Sequence, residues 1–224
     1  NASLVGHPDR KQYPILPGEI PDLYTGESLH FGGFEGNAVP MYQALITAEY
    51  AQDITVVGPG TVDGNAPKYL LDANGRSYRM KQIPWRMSQL VYFVESKNLR
   101  VMDLELADAS YWSCFFFGCE QVMAWGLWIH NVRKGFHTHN GDGIDIDCCQ
   151  HVTVSDCRID TADDCITLRA SGAKRLADPH DCAYVTIANC NLSSSCNAIR
   201  PGVGEGSIHD AVISNVTISD TQTA

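Results

Sequence analysis

The stretch Asn140-Gly-Asp142-Gly-Ile-Asp-Ile and the later stretch Thr161-Ala-Asp163-Asp164-Cys-Ile-Thr-Leu share one pattern, in which an aspartate leads two apolar residues that alternate with other residues. Asp142 and Asp164 are 22 residues apart, and a third copy, led by Asn197, begins 33 residues after Asp164. A pattern that returns roughly every 20–35 residues is typical of stacked structural repeats. We therefore expect the side chains at these three positions to form one column in space.

A second pattern, apolar-x-apolar-x-x-apolar-x-apolar, recurs along most of the chain. Its copies are Ile54, Val56 and Val62 (weak and incomplete); Leu99, Val101, Leu104 and Leu106; Val122, Ala124, Leu127 and Ile129; Val152, Val154, Cys157 and Ile159; Val185, Ile187, Cys190 and Leu192; and Ala211, Ile213, Val216 and Ile218. Each copy predicts two short strands joined by a turn that often carries Asn, Asp or Gly, such as Asp156 or Asn189. Helical periodicity is almost absent after residue 50. The predicted fold is therefore all-β, a right-handed single-stranded parallel β-helix.

The chain shows one domain and no second one. Residues 1–50 are rich in Pro, Gly and Tyr, and we interpret them as an extended lead-in segment of the same domain. Residues 51–224 then form the β-helix. A solenoid needs a cap on its last coil to protect the open edge, and none is visible after the strand predicted near Ile218. We therefore expect the chain to be truncated at its C-terminus.

Composition excludes some classes of partner. The 224 residues carry a formal net charge of −10, which argues against nucleic acid as a partner, since nucleic acid requires a basic surface. No apolar run approaches the ~18 residues that span a bilayer, so no membrane association is expected. Nine cysteines are an odd number, and none form a CxxC pair, so neither a complete disulfide framework nor a zinc ribbon is predicted. Cys157 and Cys190 hold equivalent positions, and we favour stacked free thiols over a disulfide there.

Three carboxylates, those of Asp142, Asp163 and Asp164, are predicted to converge within one or two coils. Their mutual repulsion should raise at least one pKa, which gives a protonated acid beside an ionised base. Glycoside hydrolysis requires such a pair, one group to protonate the leaving oxygen and one to activate water. Two other interpretations stay open: the aspartates shape turns, or the column binds Ca²⁺ through oxygen ligands.

These residues resemble the polygalacturonases of glycoside hydrolase family 28, whose fold is the pectin-lyase-like β-helix. The stretch Asn140-Gly-Asp142-Gly is similar to the family's Asn-Thr-Asp-Gly, and Ala162-Asp163-Asp164-Cys-Ile is similar to Gly-Asp-Asp-Cys-Ile. Upstream, Gly58-Pro-Gly-Thr-Val-Asp-Gly64 resembles the family's Gly-x-Gly-Thr-Ile-Asp-Gly turn. The resemblance implies inverting hydrolysis of α-1,4-galacturonosidic linkages in pectic polysaccharide, without a cofactor or metal. It also implies an extracellular or periplasmic location, although the odd cysteine count leaves the cytoplasm open.

The resemblance assigns roles residue by residue. Asp163 would be the general acid, Asp142 and Asp164 would hold and activate water, and Asn140 would form a hydrogen bond within the site. One departure is Cys196-Asn197-Ala198, which stands where the family has Gly-His-Gly, so that Asn197 donates a hydrogen bond but cannot titrate. This departure suggests a divergent, bacterial-type member of the family.

Further substrate contacts are predicted around the column. His137 and His139 precede the first motif and are candidates to replace the missing histidine, or are ordinary loop residues. Arg169 and Arg200 follow the column at alternating positions, where each either binds a uronate carboxylate or pairs with Asp145 or Asp147. The family's Arg-x-Lys would fall beyond residue 224.

The sequence thus predicts a monomeric pectin-directed glycoside hydrolase. A pectate-lyase-type enzyme and a carbohydrate-binding β-helix without catalysis are the alternatives. The lyase would require Ca²⁺ and a basic residue near the acids.

Overall fold

The computed structural model describes residues 2–9, 12–14, 19–21, 28–30, 33–34, 37–38, 42–67, 89–133, 136–138, 140–171 and 176–224. His139 lies outside these residues, as does the side chain of His137, so the predicted roles of both histidines stay predictions. Within the described residues, no helix is long and apolar enough to cross a membrane.

Two parallel sheets make up most of the described structure. The larger sheet contains eleven strands: β1 (Ala2–Val5), β7 (Gln52–Asp63), β9 (Lys97–Ala107), β11 (Glu120–Trp125), β12 (Trp128–His130), β16 (Gln150–Ser155), β17 (Arg158–Thr161), β19 (Cys182–Ala188), β20 (Asn191–Ser194), β22 (Ile208–Ser214) and β23 (Thr217–Ser219). The smaller sheet contains six: β6 (Ile46–Glu49), β8 (Val91–Val94), β10 (Cys114–Phe117), β15 (Ile144–Asp147), β18 (Ile166–Ala170) and β21 (Ile199–Gly204). Three short antiparallel pairs lie outside them: β2 (Glu19–Pro21) with β3 (Ser28–His30), β4 (Gly33–Phe34) with β5 (Asn37–Ala38), and β13 (Val132–Arg133) with β14 (Phe136–His137).

The strands form successive coils of a right-handed parallel β-helix, as predicted. In one coil the chain runs through β15, β16 and β17, and the next coil repeats this path through β18, β19 and β20. Each strand pairs in parallel with its counterpart one coil away, so residues about one coil apart in sequence become neighbours. A coil therefore has three sides rather than the two strands predicted for each repeat. The third side is the six-stranded sheet, whose strands come from the aspartate-led pattern.

The repeated apolar positions form the core. In the four copies from Leu99 to Leu192 the apolar side chains are buried, whereas Ile213 and Ile218 of the last copy are 48% and 37% exposed. Inward side chains are fully buried when a coil lies on each side of them, and the coil that contains β22 pairs with one described coil only. The period-2 alternation thus identified the inward residues correctly.

One column of turn residues explains why Asn, Asp and Gly recur between the two strands of each repeat. Asp103, Gly126, Asp156, Asn189 and Asn215 all have φ between 51° and 64°, a left-handed conformation that these residue types adopt at low cost. The Asn215 Nδ2 donates to Asn189 Oδ1 at 2.8 Å, and the Asn189 Nδ2 donates to Asp156 Oδ1 at 3.5 Å. The side chains therefore connect consecutive coils along the column.

Both faces of the six-stranded sheet are buried beside the site. Phe116 packs against Phe93, with ring centroids 6.1 Å apart. On the opposite face, Phe115 stacks on Tyr92 at 5.0 Å and on Phe117 at 5.7 Å. Alternate residues of this aromatic run therefore lie on opposite faces, and both faces are buried in β8, β10, β15 and β18, whereas most residues of β21 are exposed.

All nine cysteines are free thiols, and eight of them are buried. Cys157 and Cys190 follow equivalent positions of paired strands, and each contributes to the pKa of the other. The prediction of stacked free thiols at this position is confirmed.

Candidate active site

The site lies where each coil enters the six-stranded sheet. Ile144, Ile166 and Ile199 pair in register, which places Asp142, Asp164 and Asn197 two residues before them in one column. Backbone hydrogen bonds connect the column, from Gly143 N to Asp164 O at 2.9 Å and from Cys165 N to Asn197 O at 2.9 Å. The column predicted from the sequence spacing is therefore present.

A cleft of about 270 Å³ opens at this column. Its lining combines acidic, basic and aromatic residues: Tyr111, Trp112, Asn140, Asp142, Asp163, Asp164, Arg169, Ser171, Arg200, Val203 and Gly204. The three predicted catalytic carboxylates, Asn140 and both predicted arginines thus meet in one place. Asn197 reaches the site through its contact with Asp164.

The first motif needs its glycine and its left-handed turn. A Cβ on Gly143 would lie 2.4 Å from the Cys165 carbonyl oxygen and 2.7 Å from Ile159 Cγ2, so a larger residue does not fit between the coils. Asn140 has φ 55°, which Asn tolerates. The buried Asn131 holds the segment from below by donating to Gly141 O at 3.3 Å and accepting from Ala109 N at 3.0 Å.

Asp163 is held by its backbone as well as its side chain. The Thr161 hydroxyl donates to the Asp163 carbonyl at 2.7 Å, and the Ser194 hydroxyl of the next coil donates to the same oxygen at 2.5 Å. The Asp163 carboxylate accepts from Asn140 Nδ2 at 3.3 Å and from Asp164 N at 3.1 Å. Burial raises the pKa of Asp163, and the Asp164 charge raises it further, which favours its protonated form.

The Asp164 carboxylate is buried and held by donors from the following coil. Asn197 Nδ2 donates to Oδ1 at 2.5 Å, and Arg200 donates to Oδ2 at 3.3 Å. Thr167 also approaches Oδ2, at 3.5 Å. An amide and a guanidinium hydrogen bond, one to each oxygen, fix the orientation of this carboxylate. The asparagine in the place of the family's histidine therefore binds Asp164 directly.

Asp142 is the least satisfied of the three carboxylates. It is 4% exposed, and its Oδ1 has no hydrogen-bond partner among the residues that the structure describes. Burial raises the pKa of Asp142 well above its ordinary value, and Asp145, Asp163 and Asp164 add to the increase. Buried polar atoms in folded proteins are nearly always paired, so an unpaired oxygen at the wall of a cleft indicates a place for a ligand or water.

The two arginines differ in their surroundings. Arg169 is buried, donates from NH1 to Asp145 Oδ1 at 3.0 Å and lies over the Trp112 ring at 4.5 Å. Of the two alternatives predicted for Arg169, pairing with Asp145 is the one observed. The Arg200 side chain is 53% exposed and pairs with Asp164, so its guanidinium remains accessible from the cleft.

One group of residues has the composition of a metal site. Ligand atoms of Asp163, Asp164 and Cys196 lie within 4.8 Å of one another. Two carboxylates and a thiol would suit a thiophilic divalent cation better than Ca²⁺, which prefers oxygen ligands. Both carboxylates already accept hydrogen bonds from neighbouring side chains, and we assign no metal to them.

Sequence reasoning missed several residues that shape the site. Trp112, Asp145 and Ser171 were not predicted as site residues, although Asp145 was considered as a partner for an arginine. Trp112 had a usable signal, because it stands two residues before Cys114, which pairs with Ile144. It therefore occupies the column position one coil before Asp142. The aromatic run Tyr111–Phe117 around it made this alignment hard to recognise from the sequence.

Comparison with known families agrees with the motifs at the cleft. The family model described as "Glycosyl hydrolases family 28" matches residues 30–223, nearly the whole chain. The chain belongs to glycosyl hydrolases family 28. The family 28 match includes every residue of the cleft and all three residues of the column.

Relatives of this family 28 chain include plant and bacterial proteins. Polygalacturonase-2 of Solanum lycopersicum is 26% identical over 179 residues, covering 79% of this chain and 35% of the relative. A polygalacturonase of Malus domestica is 29% identical over 196 residues, covering 75% of this chain and 41% of the relative. The chain therefore spans less than half the length of these curated relatives.

Solved structures share the fold. An exopolygalacturonase from Thermotoga maritima aligns over 98% of this chain and 53% of its own, with a TM-score of 0.73 and 17% identity. A polygalacturonase from Erwinia carotovora aligns over 99% of this chain and 54% of its own, with a TM-score of 0.65 and 19% identity. At these identities the likeness supports the parallel β-helix and no finer property.

Proposed function

We propose that this family 28 chain is the catalytic part of a polygalacturonase-type glycoside hydrolase, which cleaves α-linked galacturonic acid polymers in pectin. The observation that carries the proposal is the convergence of Asp142, Asp163 and Asp164 in one cleft, where burial and the neighbouring carboxylates raise the pKa of Asp142 and of Asp163 and so favour a protonated acid. The relatives named above as polygalacturonases support the substrate class.

In the proposed reaction Asp163 donates its proton to the glycosidic oxygen as the bond from that oxygen to the anomeric carbon breaks. Water attacks the anomeric carbon, and its proton passes to Asp142 or Asp164. Asn140 orients the acid through its hydrogen bond to the Asp163 carboxylate. Asn197 and Arg200 orient the Asp164 carboxylate. No cofactor is required, because both proton transfers use side chains of the cleft.

Arg200 is the proposed contact for a uronate carboxylate of the substrate. Its side chain is half exposed at the cleft, and a guanidinium binds a carboxylate through two parallel hydrogen bonds. Arg200→Gln should therefore raise KM for polygalacturonate more than for its methyl-esterified form, which lacks the charge. Equal effects on the two substrates would contradict this assignment.

The stereochemical course is proposed from the family resemblance. Oxygens of Asp163 and Asp164 lie within 4.8 Å of each other, closer than the roughly 6.5–9.5 Å between acid and base that is typical of inverting enzymes. We propose Asp142, from the preceding coil, as the base, because it lines the cleft and its Oδ1 has no hydrogen-bond partner among the described residues. Proton NMR of freshly formed products will distinguish inversion from retention.

The central test is Asp163→Asn, which keeps the shape of the side chain and removes its transferable proton. We expect kcat on polygalacturonate to fall by roughly 10²–10⁴-fold, the usual contribution of a general acid. Asp160→Asn, on β17 and outside the cleft lining, is the matched control and should retain activity. Near-complete activity of Asp163→Asn would reject the proposal.

The same assay separates the alternative functions. A lyase would release an unsaturated sugar that absorbs in the ultraviolet and would require Ca²⁺. A binding protein without catalysis would retain oligosaccharide without releasing any product. Mass spectrometry of the products, from a panel of pectic oligosaccharides, identifies the linkage that is cleaved.

A further inference from the structure

A buried ionic cluster lies beside the proposed catalytic carboxylates. Asp145 and Asp147 on β15 are fully buried, and Arg169 on β18 is 5% exposed. Asp147 and Arg169 pair in register, and Arg169 reaches diagonally to Asp145, with NH1 to Oδ1 at 3.0 Å. Burying one cation and two carboxylates is costly unless the cluster has a function or is fully paired. Its placement at the wall of the cleft indicates a function.

The guanidinium of Arg169 is fixed from several sides. Its Nε lies 4.0 Å from Asp147 Oδ2, and its plane lies over the Trp112 ring at 4.5 Å. Trp112 is itself held by an edge contact with Phe115 at 4.9 Å. Asp147 is fixed by Ser171, whose hydroxyl and backbone N donate to it at 2.7 and 2.9 Å. The positive charge therefore has a defined position.

The charges around the cleft do not balance. Among the described residues, the carboxylates of Asp142, Asp163 and Asp164 line the cleft together with the guanidinium groups of Arg169 and Arg200, and the carboxylates of Asp145 and Asp147 are buried beside it. Keeping all five ionised in a buried site is unfavourable, so the cluster retains protons.

We propose that Arg169 is a positioning residue of the reaction, whose fixed positive charge, at the wall of the cleft that it shares with Asp142, favours the ionised form of Asp142 that accepts a proton from water. The inference rests on the proposed function, because it assigns Asp142 the role of base. Asp142 shares the lining of the cleft with Asp163, Asp164 and Arg169, and Asp145 follows it on β15. Arg169 is the cation among these groups, and it opposes the protonation that burial and the three carboxylates favour.

The groups that face Arg169 support the same arrangement. They are Asp145, Asp147, Asp142 and Tyr111, and all of them favour its charged form. Asp145 Oδ1 accepts a hydrogen bond from NH1 of the guanidinium, and Asp147 Oδ2 lies 4.0 Å from its Nε. Among the described residues, Asp142 Oδ1, Asp145 Oδ2 and Arg169 Nε have no hydrogen-bond partner, and of the two aspartates only Asp142 lines the cleft. Arg169 therefore acts on the reaction through Asp142, and its buried position gives it little access to the substrate.

The test compares Arg169→Gln with the control Arg158→Gln, which removes the same charge from β17, outside the cleft lining. Removing the cation makes ionisation of Asp142 harder. In Arg169→Gln, the acid limb of the pH profile of kcat/KM should therefore move to higher pH by about one unit or more. The control should keep the wild-type profile. A folded Arg169→Gln protein with an unchanged limb overturns the proposal.

Arg169→Lys covers the case in which the glutamine variant does not fold. Lysine retains the charge but cannot form the planar contacts with Trp112 and two carboxylates. We expect the acid limb to move by less than about half a unit while kcat falls about tenfold. A Lys variant with wild-type kcat, or with a limb displaced by a full unit, contradicts the proposal.

A second measurement is independent of activity. Carbon NMR of labelled aspartate carboxyl groups, with Asp142 assigned through Asp142→Asn, follows the titration of this residue directly. Asp142 should titrate at higher pH in Arg169→Gln than in the wild type, and identical titrations overturn the inference. If the wild type cleaves no pectic substrate, the proposed function fails, and this titration still tests the influence of Arg169 on Asp142.

Discussion

At the scale of single residues, the most informative position is 197, where asparagine stands in place of the family's histidine. The Asn197 amide donates to the Asp164 carboxylate at 2.5 Å, and Arg200 binds the other oxygen. An amide supports the carboxylate by hydrogen bonding without a proton equilibrium of its own. The substitution therefore keeps a donor at this position and removes a titratable group from the site.

Asn197→Asp tests this contact with almost no change in shape. The exchange replaces a donor by a carboxylate that faces Asp164, and it removes a hydrogen bond to a charged group worth about 1.5–3 kcal/mol. We expect kcat/KM on polygalacturonate to fall by roughly 10–100-fold. Asn191→Asp, on β20 and outside the cleft lining, is the matched control. If both variants behave like the wild type, the contact has no role in catalysis.

At the scale of elements, the turn column between the two strands of each repeat sets the shape of the coil. Its residues share a left-handed conformation, and Asn189 connects to both Asp156 and Asn215 through its side chain. Two separate contributions meet at this position: tolerance of positive φ and the side-chain hydrogen bonds. A pair of substitutions distinguishes them.

Asn189→Gly removes the side-chain hydrogen bonds but tolerates the left-handed backbone conformation. Asn189→Ala removes the same hydrogen bonds and also disfavours that conformation. Because alanine in the left-handed region costs about 1–2 kcal/mol, we expect the Ala variant to have the lower free energy of unfolding by about 1 kcal/mol. Urea denaturation measures both values. An Ala variant as stable as the Gly variant would show that tolerance of positive φ at position 189 does not contribute to the free energy of unfolding.

At the scale of the whole molecule, the buried carboxylates couple folding to pH. Burial is the first cause of the raised pKa of Asp142, of Asp163, and of Asp145, whose pKa lies at about 7. A carboxyl group with a raised pKa binds its proton more tightly in the folded chain than in the unfolded chain, where its pKa is about 4. The free energy of unfolding from these groups therefore decreases as pH rises from about 4 to about 7.

We expect the Tm to fall by roughly 5 °C between pH 5 and pH 8, as measured by thermal denaturation in buffers of equal ionic strength. In the Asp142→Asn variant, residue 142 cannot ionise, so the Tm should fall by less between pH 5 and pH 8. Were the Tm of the wild type to rise steadily over this range, the buried carboxylates would have to be stabilised by partners stronger than the two arginines.

Much of the fold followed from periodicity. The alternating apolar residues identified the inward positions, and the recurring Asn, Asp and Gly identified the turns, because each strand and turn depends on residues close in sequence. The third strand of each coil was harder to recognise. In β10, Cys114, Phe115, Phe116 and Phe117 are all buried, so the run shows no alternation between apolar and polar residues.

The candidate site was partly predictable for the same reason. The recurring strand pattern that follows each of Asp142, Asp164 and Asn197 placed them in one column, and Asp163 is adjacent in sequence. The predicted roles of these residues, of Asn140 and of the arginines are chemical proposals that the experiments above test. The boundary at residue 50 and the monomeric state also stay predictions.

The sequence by itself determined the β-helix, its inward residues and the column of acidic side chains, since these depend on spacing along one chain. Only the tertiary structure decided that Arg169 pairs with Asp145 and lies on Trp112, and that Asn197 and Arg200 hold Asp164. The physical reason is that spacing fixes which backbone positions are neighbours. The partner that each charged side chain selects depends on rotamer, burial and the competition among several nearby charges.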